Sequence, residues 1–492
     1  YLDFDPWCTT STCGSSTTID WKGITWDILN GTAVVDGSGH LVLTADGAGN
    51  AWVHVNQIAS LVGVTTPWME LSYMDVTTSG HNIDLLMENE LGLYPRFACG
   101  SMWSAGEVMA LRHESSPTHE TYLYFDDTRQ DIERTVYVGK RATGTLDVDF
   151  DGEKRSSTYL NQTVGGSWDY SDVYLRLRGA APGETVTFTD FSYGTNHSDQ
   201  NPTNFIISKD DQGTIMTIQT AVDDANPGDE ISVLPETYTE QLHITTNNLT
   251  ITGADVSTTT IQSPATLTSY FTTGSNNNYP VVFVDGVTTF SMTGLTVDGA
   301  GQGNANYRFQ GIGFWNAGGN LTNVDVTGVR DTPFSGAQHG VGVYAYNNTS
   351  GPYTITIDEM NVTDFQKNAF SLSGDGLTVD LDNIMVQGAG GTSVTAQNGI
   401  QIGNGASGTV NDCVVNDIWY TGATWTASGV LIQFAGSVSL TNVDVDGCQT
   451  SFYIYDSDAD LSGCDVTNVA GDGLYGWASN AAKSNNKSPI LQ

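Results

Sequence analysis

Basic side chains are scarce in the second half of this 492-residue chain. Between residues 209 and 483, four basic residues lie in corresponding connecting segments of consecutive sequence repeats. They are Arg308, Arg330, His339 and Lys367. An Arg or Lys can neutralise the carboxylate of a uronic acid, and a Lys or His can remove the proton from the adjacent carbon. The set is therefore what a uronate lyase requires. The pattern favours the alternative, loop residues that balance nearby acids, because a charge cluster alone does not establish catalysis.

Aromatic residues accompany this set in the same half of the chain. The candidates for carbohydrate binding are Trp315, Tyr344, Trp419, Tyr420 and Trp425. Aromatic rings bury a large area and also occur often in protein–protein interfaces. These residues therefore predict a binding surface, which fits either sugar rings or a neighbouring protein.

An acidic segment, "DSDAD", offers alternate carboxylates at Asp456, Asp458 and Asp460. Carboxylate oxygens are ligands for Ca²⁺, but the segment lacks the Gly and the terminal Glu of an EF-hand loop. The pattern favours a solvated turn, with a Ca²⁺ site as the alternative. No other cofactor is predicted.

A repeated phrase predicts the elements that position these side chains. In "SLTNVDVDGC", residues 439–448, the apolar positions are Leu440, Val443, Val445 and Cys448. They make no helical stripe, and only the two valines alternate as a strand does. The phrase therefore predicts a very short strand between two bends, and Gly447 lies where the second bend needs a positive φ.

Seven copies of this phrase align. The first apolar column is Met292, Leu321, Ile357, Leu381, Val410, Leu440 and Leu461, and the last is Ala300, Val329, Phe365, Ala389, Ile418, Cys448 and Val469. A second short strand follows each copy, as in "QGIGF" from Gln310 and "NGIQI" from Asn398. Each repeat cannot bury its apolar face alone and must stack on its neighbours. The sequence predicts a right-handed parallel β-helix with these columns facing inward.

The start of the repeat region, "TIQTAVDDANPGDEISVLPETYTEQLHITTNNLTITG" from Thr217 to Gly253, resembles the pectin-lyase-like superfamily, especially its NosD-like members. The resemblance covers roughly residues 205 to 480. It implies a short capping helix, then a strand and a Pro-containing turn. It implies no single activity, because the superfamily includes lyases, hydrolases, esterases, tailspikes and adhesins.

The preceding region carries no repeat and predicts an all-β, antiparallel sandwich, with alternation such as Leu146, Val148 and Phe150 against Asp147 and Asp149. Phrases such as "NGTAVVDGSGHLVLTADG" resemble concanavalin-like and laminin-G-like jelly rolls. We predict a jelly-roll sandwich over residues 1–197, a linker over 198–213, the β-helix over 214–480 and a C-terminal tail over 481–492.

Charge and composition restrict the partners. A formal net charge of −38 argues against nucleic acids and anionic membranes, because a polyanionic surface repels both. No apolar run has the length to span a membrane. The chain starts at Tyr1 without an initiator Met, which predicts a mature chain after removal of a signal peptide, or a fragment. We expect an extracellular or cell-surface location.

Cysteines and sequons agree with that location. Cys8 and Cys13 enclose a short loop and predict a disulfide. Cys413 and Cys464 lie two coils apart, about 9.6 Å at 4.8 Å per coil, which is too far for a disulfide and predicts buried thiols. The candidate glycosylation sites are Asn30, Asn161, Asn196, Asn248, Asn320, Asn347, Asn348, Asn361 and Asn486.

Two functions remain open on the sequence alone. The favoured one is a structural or adhesive surface protein that binds copies of itself, and glycans besides, since no complete catalytic set is visible. Its apolar tail segment, Pro489 to Leu491, suits docking on a neighbouring chain. The other is a secreted polysaccharide lyase or glycoside hydrolase with an N-terminal carbohydrate-binding module.

Overall fold

The structure is a computed structural model that describes residues 17–484, apart from 56, 75–81, 90–95, 103–107, 115–118, 126–131, 142–145, 152, 158–167, 198–203, 208, 211–212, 215–216, 350 and 478–479. The chain divides into two compact units, Tyr1–Ile206 and Ile207–Gln492. Both are built almost entirely of β-strands, as the sequence predicted. None of the helices in the described ranges has the length and apolar character needed to cross a lipid bilayer.

The first unit consists of two sheets. Sheet A contains, in spatial order, Thr18–Trp21, Ile24–Asn30, Asn50–Val55, Trp168–Arg178, Asn82–Asn89, Arg96–Met102, Val108–Glu114 and His119–Phe125. Sheet B contains Thr32–Val35, Leu41–Thr44, Thr185–Gly194, Trp68–Met74, Glu133–Lys140, Leu146–Phe150 and Glu153–Ser157, and Asn204–Ile207 pairs with the last strand in parallel. The other strand pairings described for these two sheets are antiparallel. Inward-facing side chains of both sheets, such as Trp26, Leu85 and Val148, form one core.

The alternation predicted for this unit holds for its apolar residues, which are buried, but one of the polar residues between them is buried as well. Asp147, expected to face solvent, is fully buried. Its carboxylate accepts hydrogen bonds from Arg141 Nε at 3.1 and 3.0 Å, and lies 2.7 Å from Nε2 of His197. A buried carboxylate persists only with such partners, because desolvating an unpaired charge costs several kcal/mol.

The second unit is a parallel β-helix with two long sheets. Sheet C contains Glu230–Val233, Glu236–Thr239, Leu249–Gly253, Thr259–Gln262, Phe290–Asp298, Gly319–Thr327, Tyr353–Val362, Leu377–Thr392, Ser407–Asn411, Val414–Tyr420, Ser437–Thr441, Asp444–Asp446, Asp458–Ser462, Asp465–Thr467 and Asn480–Ser484. Sheet D contains Leu242–Ile244, Asn276–Asp285, Phe309–Trp315, Val341–Tyr346, Asn368–Ser373, Asn398–Gly403, Ser428–Gln433, Thr450–Tyr455 and Leu474–Trp477, and Phe271–Thr273 pairs with its second strand. Minor elements are Lys209–Asp210, Gly213–Thr214 and the 3₁₀ turn Gln302–Ala305.

The repeat register is confirmed. Leu440 pairs directly with Val410 on one side and Leu461 on the other, and all three are buried. Gly447 has a φ of 65°, as the bend required. The last column is less regular: Ala300 and Val469 are only half-buried, and Ala389 is exposed where the register shifts between Gln387 and Gly390.

The predicted buried thiols of the β-helix are observed. Cys413 is a free, buried thiol and therefore is not bonded to Cys464, which is also buried. Cys448 is a second free buried thiol. Burial raises the pKa of Cys413 and of Cys448 to about 12, so both act as small apolar groups at neutral pH. Cys8 and Cys13 lie outside the described residues.

Each end of the β-helix has its own closing element. A helix over Ile218–Asp224 begins at Thr217, whose Oγ1 accepts the Thr220 N–H at 3.1 Å, and it buries Ile218 and Val222. At the other end, the strand Asn480–Ser484 pairs in parallel with Asp458–Ser462. The predicted tail from residue 481 thus begins inside a strand that covers the last coil of sheet C.

Candidate functional site

A pocket of about 410 Å³ opens on the outer face of sheet D, beside the first residues of its strands. Its lining consists of Thr273, Gly274, Asn278, Arg308, Phe309, Gln310, Gln338, His339, Val341 and Tyr344. The strands Phe309–Trp315 and Val341–Tyr346 are neighbours in the sheet, so residues more than 30 positions apart in sequence become adjacent.

Gln310 provides an unpaired hydrogen-bond acceptor at this pocket. The side chain is only 2% exposed, and its Nε2 donates to Asn278 Oδ1 at 3.0 Å. Its Oε1 has no hydrogen-bond partner in the described part of the chain. Oε1 lies over Gly313, where a Cβ would come within 2.8 Å of it. Oε1 itself is closed to solvent, so a ligand O–H or N–H reaches it only when the Gln310 side chain turns toward the pocket. Pairing it there would recover part of the about 1–3 kcal/mol that an unsatisfied buried acceptor costs.

Arg308 supplies donors beside that acceptor. Its backbone has a φ of 58°, and its Nη1 donates to the carbonyl of Thr273 at 2.7 Å and to Thr273 Oγ1. Within the described ranges no other hydrogen bond or ion pair engages the guanidinium, so Nε and Nη2 can bind a ligand oxygen. Burial raises the pKa of Tyr344 to about 12, so its hydroxyl keeps its proton at neutral pH, and this hydroxyl already interacts with the side chain of Thr273.

His339 is held by the protein through both ring nitrogens. Nδ1 accepts the backbone N–H of Phe309 at 3.4 Å, which places the proton on Nε2. Nε2 lies 3.0 Å from Asp331 Oδ1. The contact is electrostatic rather than a well-aligned hydrogen bond, since Asp331 Oδ1 has no hydrogen-bond partner among the described residues. His339 can take a substrate proton only by giving up one of these contacts.

The four basic residues do not converge on one site. Arg308 and His339 share the pocket, but Arg330 lines a separate pocket of about 500 Å³ and its Nε donates to Asp364 at 2.5 Å. The Lys367 ammonium donates to the carbonyl of Ala396, and burial lowers its pKa. A lyase site would need all four residues in one groove, and the structure instead places Arg308 and His339 in one pocket and Arg330 in another.

The predicted sugar-binding aromatic residues are also divided. Trp315 and Tyr344 lie on sheet D. The Trp315 ring packs against Phe271 and Tyr346, with ring centroids 4.8 and 5.4 Å apart, so these two rings cover surface that a sugar would need. Trp419 and Tyr420 end a strand of sheet C, and Trp425, 68% exposed, lies in the loop that follows. Sequence reasoning missed Gln310, although it opens the phrase "QGIGF" and is the second residue of the sheet D strand Phe309–Trp315.

The acidic segment does not gather its carboxylates. Asp458 and Asp460 alternate with buried Ala459 on a strand, and Asp456 occupies a left-handed corner with a φ of 44°. Across the described ranges no group of three or more His, Cys, Asp or Glu side chains is arranged to hold a metal ion. The Ca²⁺ alternative for Asp456, Asp458 and Asp460 gains no support from this geometry.

The sequons differ in accessibility. Exposed asparagines are Asn196, Asn248, Asn320 and Asn348, and half-buried ones are Asn30 and Asn361. Asn347 is a correction: it is buried, and its Nδ2 donates to the carbonyls of Gly351 at 2.9 Å and Asp375 at 2.5 Å. A glycan would replace one of the two hydrogens on that nitrogen and so break at least one of these bonds. Asn161 and Asn486 lie outside the described residues.

Comparison with known proteins gives only distant structural likenesses. No family model matches the sequence, and no curated protein matches it. The Emp47p carbohydrate recognition domain is 12% identical with a TM-score of 0.26, covering 35% of this chain and 89% of that one. Alginate lyase A1-II′, of polysaccharide lyase family 7, is 12% identical with a TM-score of 0.24, covering 33% and 82%.

A third likeness extends over most of the chain. The catalytic domain of a GH87 α-1,3-glucanase in complex with nigerose is 10% identical with a TM-score of 0.28, covering 92% of this chain and 95% of that one. TM-scores this low leave the function of this chain to be argued from its own residues.

Proposed function

We propose that the second unit is a glycan-binding module whose pocket on sheet D holds a neutral polysaccharide. The observation that carries this is the unpaired acceptor of Gln310, which lies in the same pocket as the available donors of Arg308 and the protonated hydroxyl of Tyr344. Sugar hydroxyls both donate and accept hydrogen bonds, so they match a pocket that offers an acceptor and donors. The pocket volume of about 410 Å³ lies in the range of small-molecule sites.

Charge favours a neutral chain over an acidic one. The protein carries a formal net charge of −38 and few basic residues in this unit. A polyuronate would meet that potential along its whole length, and one guanidinium at Arg308 cannot offset it. A neutral glycan pays no such electrostatic penalty.

The same groups favour binding over cleavage. A lyase needs a base, yet His339 has both nitrogens engaged and Tyr344, with its raised pKa, keeps its proton. Lys367 donates to Ala396. A secreted polysaccharide lyase or glycoside hydrolase stays the second candidate, supported by the presence of Arg308 and His339 in one pocket.

Replacing Gln310 with leucine tests the proposal. Removal of the acceptor should weaken binding to a retained polymer about tenfold, since one hydrogen bond to a sugar hydroxyl contributes about 1.5 kcal/mol. The measurement is affinity electrophoresis through gels containing xylan, mixed-linkage β-glucan, hydroxyethyl cellulose or polygalacturonate.

The matched control is Gln387→Leu, since Gln387 lies on sheet C and lines the other pocket. Equal retardation of the two variants would contradict the proposal. Retardation only by polygalacturonate, with release of unsaturated products, would favour the lyase instead.

We also propose that the protein self-associates and that it is extracellular or attached to the cell surface. The favoured sequence hypothesis places copies of the chain side by side through the tail segment Pro489 to Leu491. We expect sedimentation of the intact chain to show species larger than a monomer, and removal of residues 485–492 to abolish them. A monomer at every concentration would reject self-assembly and leave the glycan proposal intact.

A further inference from the structure

An exposed group of aromatic side chains lies on the last coils of sheet D. It consists of Phe434, Tyr453, Tyr455, Tyr475 and Trp477, here named the C-terminal platform. Trp477 is 55% exposed, Tyr475 41% and Phe434 49%. Isolated exposed apolar residues are ordinary, but five contiguous aromatic side chains indicate an interaction surface.

The platform is ordered rather than a loose collection of rings. Tyr453 pairs in register with Tyr475, and Tyr455 with Trp477. Their ring centroids are 4.8 Å apart in both pairs, and the Tyr455 and Trp477 planes differ by only 16°. Phe434 meets Tyr455 edge to face at 5.0 Å. The rings therefore present a fixed surface before any ligand arrives, which reduces the entropy lost on binding.

Phe434 provides an independent sign of function. It occupies the corner that follows each sheet D strand, where the backbone is left-handed with a φ of 51°. Equivalent corners, identified by the same N–H to carbonyl bond to the next coil, hold Gly286, Asn316, Asn347, Gly374, Asn404 and Asp456, and all of these except Asn347 have a positive φ. A bulky aromatic residue is strained there, whereas Gly and Asn are tolerated. Such strain points to a role other than stability.

The platform lies on the same face as the pocket. In sheet D, Tyr344 is followed in register by Ser371, Gln401, Leu431, Tyr453 and Tyr475. This row spans five coil intervals, about 24 Å at 4.8 Å each. The spacing of one coil is close to the length of one sugar residue in an extended glycan, and the residues between the two ends are mostly small or polar.

We infer that the C-terminal platform is a second subsite for the same neutral glycan chain, which runs from the Gln310 pocket along the outer face of sheet D and stacks on Tyr475 and Trp477. The inference rests on the proposed function. Pyranose rings present C–H faces that pack on aromatic rings, and Trp and Tyr combine such a face with a polar group. The acids beside the platform, Asp456 and Asp472, disfavour an anionic ligand.

Dependence on oligosaccharide length tests the inference. The probes are purified oligosaccharides of two to eight units from whichever neutral polymer retards the protein, measured by titration calorimetry. Affinity should rise with length up to about six units, the number that five coil intervals accommodate, and then level off. The double variant Tyr475→Ala/Trp477→Ala should bind long oligosaccharides about tenfold more weakly and short ones unchanged.

Two further variants separate function from folding. Phe434→Asn should weaken binding of long chains while raising Tm by about 2–4 °C, since it relieves backbone strain. Met385→Ala, which removes a comparably exposed apolar side chain from sheet C, should leave binding unchanged.

The outcomes are distinguishable. Unchanged length dependence in the double variant, or a lower Tm with unchanged binding in Phe434→Asn, would overturn the second subsite while the pocket proposal stands. Absence of retardation of the unsubstituted chain by every neutral polymer would overturn both.

Discussion

Replacing Gly399 with valine should destabilise the β-helix by about 3 kcal/mol and lower its Tm by roughly 6–12 °C. Gly399 is an interior position at the start of a sheet D strand. A Cβ there would lie 2.4 Å from the carbonyl oxygen of Gly429 and 2.7 Å from Val415 Cγ1. Neither atom can move without disturbing the next coil or the opposite sheet, because close-packed interiors transmit such strain.

The matched control is Gly391→Val. Gly391 lies at an exposed strand end, where the nearest atom to an added Cβ is Thr421 Cγ2 at an ordinary 3.4 Å. This variant should keep Tm within about 2 °C of the unsubstituted chain. Thermal unfolding followed by circular dichroism measures both. Equal Tm values for the two variants would show that the coils are not packed at the spacing described.

Replacing Asp331 with alanine should cost about 3 kcal/mol and also weaken glycan binding. Asp331 is buried, its Oδ1 lies 3.0 Å from His339 Nε2, and its Oδ2 accepts from Ser335 Oγ. Its loss would remove the electrostatic attraction that holds the His339 ring and would leave the Ser335 hydroxyl without this partner, and an unsatisfied buried group costs about 1–3 kcal/mol. His339 would then lose its fixed orientation in the pocket.

The control for this prediction is Asp364→Ala. Asp364 accepts from Arg330 in a neighbouring loop, but both side chains are substantially exposed, with 48% and 27% of their surfaces accessible. An exposed ion pair contributes about 1 kcal/mol at most. Denaturant unfolding and affinity electrophoresis should therefore separate the two variants. Comparable losses in both would contradict a structural role for the Asp331 and His339 contact.

The sequence predicted the site less completely than the fold. Arg308 and His339 were selected by their charge, and the structure does place them together. The orientation of His339 could not be predicted, because the backbone N–H of Phe309 and the carboxylate of Asp331 fix it from separate coils. Trp315 was selected as an exposed aromatic residue, but the segment containing Phe271 folds onto its ring.

The sequence by itself determined the β-helix, because each coil repeats the same short-range physics. Alternating apolar residues such as Val443 and Val445 form the strand, and Gly447 adopts the left-handed bend. Both signals lie within ten residues of sequence, so they can be recognised without knowing which distant residues they contact.

Only the tertiary structure decided which side chains meet. Gln310, Tyr344 and Tyr475 belong to different coils, and stacking at one coil spacing sets them along a single face. The buried state of Asp147 likewise depends on Arg141 and on the distant His197. Such contacts depend on packing between segments far apart in the chain, and a local pattern carries no information about them.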